Sequence, residues 1–140
     1  MQVQKYLKEF GIEALKQEFG IKVKEYEEGL YVLNYCQINS PKSHPIVKEC
    51  RSLILDDYFN VVSRSFSRFF NLGEVPESQS HIDMSKATLF EKVDGSLIKI
   101  YNWKGTWYVS TRSTAFGESK VNGFDMTFKE LVIKAIDVQD

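Results

Sequence analysis

The hexapeptide Glu91-Lys92-Val93-Asp94-Gly95-Ser96 is the segment of this chain whose residue types best suit covalent chemistry. It sets a lysine directly before a glycine turn, and a glycine there lets a phosphate or sugar approach the backbone closely. Lysine attacks only as the neutral amine. Its reference pKa of about 10.4 must fall by roughly three units, at a cost of about 4 kcal/mol, for a large neutral fraction near pH 7. Partial burial and neighbouring cations supply such a shift in other proteins. Taken alone the K-x-D-G pattern is weak, since average residue usage produces one in a chain this long on the order of a few per cent of the time. A plain hairpin, with Asp94-Gly95 as its turn and Lys92 in solvent, accounts for the same residues. Arg51, Arg68 and Arg112 are the other cations on or beside apolar segments. Four converging positive groups would bind a triphosphate and neutralise charge during phosphoryl transfer.

Those groups must be carried by sheet and helix. Val3, Leu7, Phe10, Leu15 and Phe19 recur at roughly helical spacing, which predicts one or two amphipathic helices over residues 2–18, punctuated by Gly11 and Gly20. Lys5, Lys8 and Lys16 alternate with glutamates there and read as a solvated face. Residues 21–26 alternate apolar and polar, a strand pattern; Glu28-Gly29 makes a turn and residues 30–35 a second strand. The prolines of residues 39–45 predict a loop. Strands are expected over 51–55 and 61–66, joined by a turn at 56–60, then a polar surface connection over 73–85. Three more strands are expected over 88–92, 96–102 and 106–111, with Asp94-Gly95 and Lys104-Gly105 turning between them. Thr127 with Glu130 forms a capping box ahead of an amphipathic helix carrying Phe128, Leu131, Val132, Ala135 and Ile136. The class is α+β, with a twisted antiparallel sheet at its centre.

At 140 residues the chain suits a single domain, and its net charge of −1 shows no global polycation. A basic cleft on a neutral protein still focuses field on phosphates locally. Cys36 and Cys50 make neither a disulfide framework nor a metal motif, and His44 and His81 stand alone, so a zinc site is not expected. No apolar run reaches membrane length, and the start is polar, not a signal region. A cytoplasmic location follows as the default, the host cytoplasm if the protein is viral.

Context sharpens the lysine motif. Glu49-Cys50-Arg51-Ser52, then Ser67-Arg68-Phe69-Phe70-Asn71-Leu72, then Lys92-Val93-Asp94-Gly95-Ser96, then Ser110-Thr111-Arg112-Ser113 follow in order. This set, spanning about residues 30–119, resembles the T-even phage RNA ligase 1 family, whose nucleotidyltransferase domain carries E-C-R-G, F-F-N-L, K-x-D-G-S and S-K-G elements. The resemblance implies an incomplete, ATP-grasp-like nucleotidyltransferase fold over residues 1–140, the N-terminal part of an adenylation domain. It implies that Lys92 attacks the α-phosphate of ATP, expelling pyrophosphate and leaving a lysine–AMP adduct. Arg51 matches an arginine near the nucleotide; a structural arginine paired with Glu49 or Asp56 is the alternative. Tyr35 aligns loosely with a nucleotide-contacting tyrosine, or else packs in the sheet with its hydroxyl satisfied. Arg68 and Arg112 stand where the family has lysines, Thr114 departs further from the motif, and the two cation types are not interchangeable at a tight site. Asp94 would orient the turn and Gly95 give close approach.

The same resemblance implies ATP and Mg2+ as cofactors and RNA 5′-phosphate and 3′-hydroxyl ends as substrates, with the metal ligands unidentified. Family members continue with an adenine-stacking aromatic, a metal-placing glutamate and late lysines, none of which follows Lys120; a downstream ligase segment is therefore an expected partner. Two other readings stay open: a non-catalytic nucleotide- or RNA-binding fragment, and a DNA ligase or capping guanylyltransferase, which share K-x-D-G.

Overall fold

The computed structural model describes residues 1–76 and 81–137; part of the expected connection over 73–85 lies outside the described residues. Helix α1, Gln2–Phe19, buries Val3, Leu7, Leu15 and Phe19 and is broken at Gly11, whose φ of 83° and ψ of 176° are not helical. A residue with a Cβ disfavours that conformation, so the glycine permits one amphipathic sequence to bend around the core. The lysines at 5, 8 and 16 face solvent as their spacing predicts.

Strands β1 (Lys22–Tyr26), β2 (Leu30–Asn34), β3 (Leu53–Asp56) and β4 (Val61–Ser63) form one antiparallel sheet in that order. A short helix, α2 (Pro45–Glu49), precedes β3; proline stands at its first turn and the His44 ring nitrogen accepts from Ile46 N at 3.2 Å. This helix replaces the end of the loop that the prolines predict, since proline is favoured at the first helical position. Strands β5 (Lys99–Trp103) and β6 (Thr106–Ser110) form a separate two-stranded sheet, and α3 (Phe128–Asp137) follows. Thr127 Oγ1 accepts from Glu130 N at 3.2 Å, the N-terminal half of the expected capping box.

The continuous apolar sequences of β2 and β3 reflect burial on both faces. Leu33, Tyr35, Leu53 and Leu55 pack with α1 and α2, while Leu30, Val32 and Ile54 pack with Tyr101 of β5 and with Ala115. Helices α1 and α2, the four-stranded sheet and the two-stranded sheet therefore stack as three layers in an α+β arrangement, with α3 against β6. Both cysteines are free, Cys50 buried in the first of these clusters.

One expected strand is absent. Residues 87–98 have no helix or strand, and 87–97 are exposed, including Leu89 at 89 % and Phe90 at 86 %. Asp94-Gly95 is a bend in this segment and not a hairpin turn. The composition of residues 88–92 suits a strand, but among the described residues no neighbour offers them a ladder. A strand needs its partner as much as its propensity.

Candidate active site

Strand ends gather the polar groups. Ser52, between α2 and β3, has a φ of 50°, a left-handed backbone uncommon outside glycine. The side chain of Asn34, at the end of β2, accepts from Ser52 N at 2.8 Å and donates to Arg112 O at 2.9 Å. Ser52 Oγ donates to Thr111 O at 3.2 Å, and the Lys99 amine, at the start of β5, donates to the Ser52 carbonyl. These bonds tie the ends of β2 and β6 to the starts of β3 and β5. An aromatic cluster braces the loop after β6: Tyr101 donates its hydroxyl proton to Ala115 O at 2.7 Å, and Phe116 packs edge-on to Tyr26 and Tyr108 at 5.2 and 5.1 Å.

Around this knot lies a cavity of about 390 Å³. Its wall includes Arg51, Lys99 and Arg112, the hydroxyls of Ser52, Ser65, Ser96, Thr111, Ser113 and Ser119, and the backbone at Gly95; among the described residues no carboxylate lines it. Nη1 of Arg51 and Oγ of Ser65 are buried without a hydrogen-bond partner, which is costly for polar atoms unless something fills the space beside them. Arg51 lies over the Phe69 ring at 4.8 Å. It does not pair with the acids that could have made it structural. Glu49 instead accepts from the N–H groups of Gln2 and Val3, and Asp56 from those of Tyr58 and Asn60.

Tyr35 joins two more of the expected cations. Arg68, only 7 % exposed, stacks on its ring at 4.1 Å and on Phe70 at 5.3 Å, while Arg112 approaches the same ring from 5.2 Å. Arg68 does not line the Arg51–Lys99–Arg112 cavity; it lines instead a second cavity of about 380 Å³ with Tyr35, Phe69 and Phe70. The four cations expected together are thus split: Arg51 and Arg112 share the cavity, and Arg68 is linked to Arg112 through Tyr35.

Lys92 is the larger difference. It is exposed, on the irregular segment, and does not line the cavity, whose wall takes up Gly95, Ser96 and Leu97 just beyond it. Asp94 accepts from Gly95 N at 3.1 Å, as a turn-orienting carboxylate would. The partial burial expected for a reactive lysine belongs to Lys99. Desolvation lowers its amine from 10.5 to about 8. The sequence held a signal for it: residues 99, 101 and 103 share one strand face, and Tyr101 and Trp103 pack in the core, so Lys99 must point inward too.

Among the described residues no group of three or more His, Cys, Asp and Glu side chains could hold a metal ion. No helix among them is long and apolar enough to cross a membrane.

The fold centres on antiparallel sheet, and its K-x-D-G-S segment runs into a cavity lined by three cationic residues. The RNA ligase family of the T4 RNA ligase 1 type matches residues 49–137, and the chain belongs to that family. It is 43 % identical, over 120 residues, to a protein of Autographa californica nuclear polyhedrosis virus described as a bifunctional polynucleotide kinase/RNA ligase. That alignment covers 79 % of this chain and 17 % of the viral relative, so the chain spans about a sixth of its relative's length. No solved structure gives a significant match.

Proposed function

We propose that the chain forms the nucleotide-accepting part of an ATP-dependent RNA ligase with a nucleotidyltransferase-type fold. The observation that carries this reading is the cavity where Gly95 and Ser96 of the lysine motif meet Arg51 and Arg112, with no carboxylate among the described residues that line it. Phosphates of ATP fit such a lining, because guanidinium groups and hydroxyls are strong donors to them.

The neutral amine of Lys92 attacks the α-phosphorus; a nitrogen–phosphorus bond forms, the bond to the bridging oxygen breaks, and pyrophosphate leaves as the amine loses its proton. The RNA 5′-phosphate then displaces lysine to give an RNA–adenylate, and a 3′-hydroxyl displaces AMP. Arg51 and Arg112 hold phosphate charge; Tyr35 and Arg68 brace Arg112 from behind; Gly95 keeps the backbone clear of the ligand. A magnesium ion in this reaction would be held by the nucleotide phosphates together with groups of the expected downstream ligase segment.

Lys92 must move toward the cavity for this chemistry, and Leu89, Phe90 and Val93 beside it are uncovered. We therefore expect further ligase sequence, in the same chain or a separate one, to cover this segment. Incubation with α-labelled ATP and magnesium should label the 140-residue protein weakly, and Lys92→Ala should abolish the label. Addition of a downstream ligase segment should strengthen labelling without moving it from Lys92. Preferential labelling by GTP would overturn the assignment in favour of capping chemistry, and label retained by Lys92→Ala would remove the nucleophile. The exposure of Lys92 favours one second reading, a nucleotide-binding fragment that never reacts; it predicts ATP binding with no label under any of these conditions.

A further inference from the structure

Lys99 has no role in the reading above, and its surroundings call for one. It stands on the core-facing side of β5, directly before Tyr101, where an apolar residue would ordinarily pack. The charged end has a single hydrogen-bond partner among the described residues, the carbonyl of Ser52, and no ion pair. A part-buried ammonium is normally matched by a carboxylate. Here the wall supplies two guanidinium-bearing residues and six hydroxyl-bearing ones instead. Adding a third cation to Arg51 and Arg112 raises the energy of the empty site. A multiply charged anion would relieve all three together.

We propose that Lys99 forms the floor of a phosphate subsite, between the start of β5 and the end of β6, shared with Arg51 and Arg112. The subsite takes a pyrophosphoryl or terminal phosphate group. Only the source of that phosphate, a nucleotide tail or a 5′-phosphorylated RNA end, rests on the ligase reading. Lys99 differs from Lys92 in kind: its amine is tethered to the backbone just before β3, whereas Lys92 lies on the irregular segment. Lys99 binds charge and leaves the covalent step to the other lysine.

The test is calorimetric titration of the full chain with inorganic pyrophosphate, and then with a short oligoribonucleotide bearing either a 5′-phosphate or a 5′-hydroxyl. Lys99→Met should weaken the preferred phosphate ligand about tenfold, Lys99→Arg should restore most of the loss, and Lys5→Met on the solvated face of α1 should change nothing. Lys99 dependence with pyrophosphate assigns the subsite to a nucleotide tail; dependence confined to the 5′-phosphorylated oligonucleotide assigns it to the RNA end. Circular dichroism and urea midpoints of the variants separate lost binding from lost folding. A Lys99→Met protein that is folded and binds every phosphate probe as the parent does would overturn the proposal, as would a parent chain that binds none of them. A chain that binds pyrophosphate through Lys99 yet never acquires AMP would sink the adenylation reading and leave the subsite standing.

Discussion

Replacing Lys99 by methionine keeps the length of the side chain and removes its charge, so it isolates what burial of that charge costs. Desolvation takes the amine from 10.5 to about 8. At about 1.4 kcal/mol per pH unit, that difference bounds the cost of the charged form at roughly 3 kcal/mol. Water still reaches part of the side chain, and about 2 kcal/mol is the expected figure. The sign follows from proton counting. Between pH 8 and 10.5 the unfolded chain carries a proton on this amine that the folded chain has shed, so Lys99 makes stability rise with pH across that window. Below pH 8 both states hold the proton and the full cost is present. Other groups pull the opposite way at high pH: burial raises the Cys50 thiol and the Tyr101 and Tyr26 hydroxyls, so their ionisation favours the unfolded chain. They are common to both proteins and cancel in the difference. Urea unfolding of parent and Lys99→Met at pH 7, 8, 9 and 10 should therefore show the parent gaining about 2 kcal/mol on the variant as pH rises. A difference that stays constant from pH 7 to 10 would refute the account of Lys99 as a desolvated, unpaired cation.

The left-handed backbone at Ser52 sits where the family motif has glycine. Ser52→Ala should cost about 1 kcal/mol through the lost bond to Thr111 O, whereas Ser52→Gly should be near neutral because backbone relief offsets that loss; equal urea midpoints for the two variants would contradict this. Arg68→Lys keeps the charge but gives up the planar stack on Tyr35, and should lower stability by roughly 1–2 kcal/mol and loosen Arg112, read as a fall in urea midpoint and weaker pyrophosphate binding. An unchanged midpoint would show that the stack contributes nothing.

Elements whose period and partners are both local were legible in the sequence. The α1 pattern, the β1–β2 hairpin with its glycine turn and the β5–β6 hairpin around Lys104-Gly105 all form within a residue or a few of their expected bounds. The cation pairing of Arg51 with Arg112 was readable too, but only through the order of motifs, since the residues are remote in sequence and meet through the Asn34 and Ser52 bonds. Residues 88–92 misled because strand propensity says nothing about whether a neighbouring strand exists. Lys99 lies outside any motif, and its signal is that of a lysine out of keeping with the apolar face it shares with Tyr101 and Trp103.

The contrast between a tethered floor and an untethered wall has a kinetic consequence. Ser52, Lys99 and Thr111 are held by bonds among strand ends, while among the described residues 88–98 the single hydrogen bond is the local one between Gly95 and Asp94. In the proposed reaction, filling the floor and delivering Lys92 would then be separate events with separate equilibria. Saturation with nucleotide would complete the first and leave the second untouched, so the maximal labelling rate would be set by the fraction of molecules in which Lys92 has reached the cavity. A neighbour that favours the inward arrangement would raise that ceiling in proportion, even if it never touched the nucleotide and left its half-saturating concentration nearly where it was.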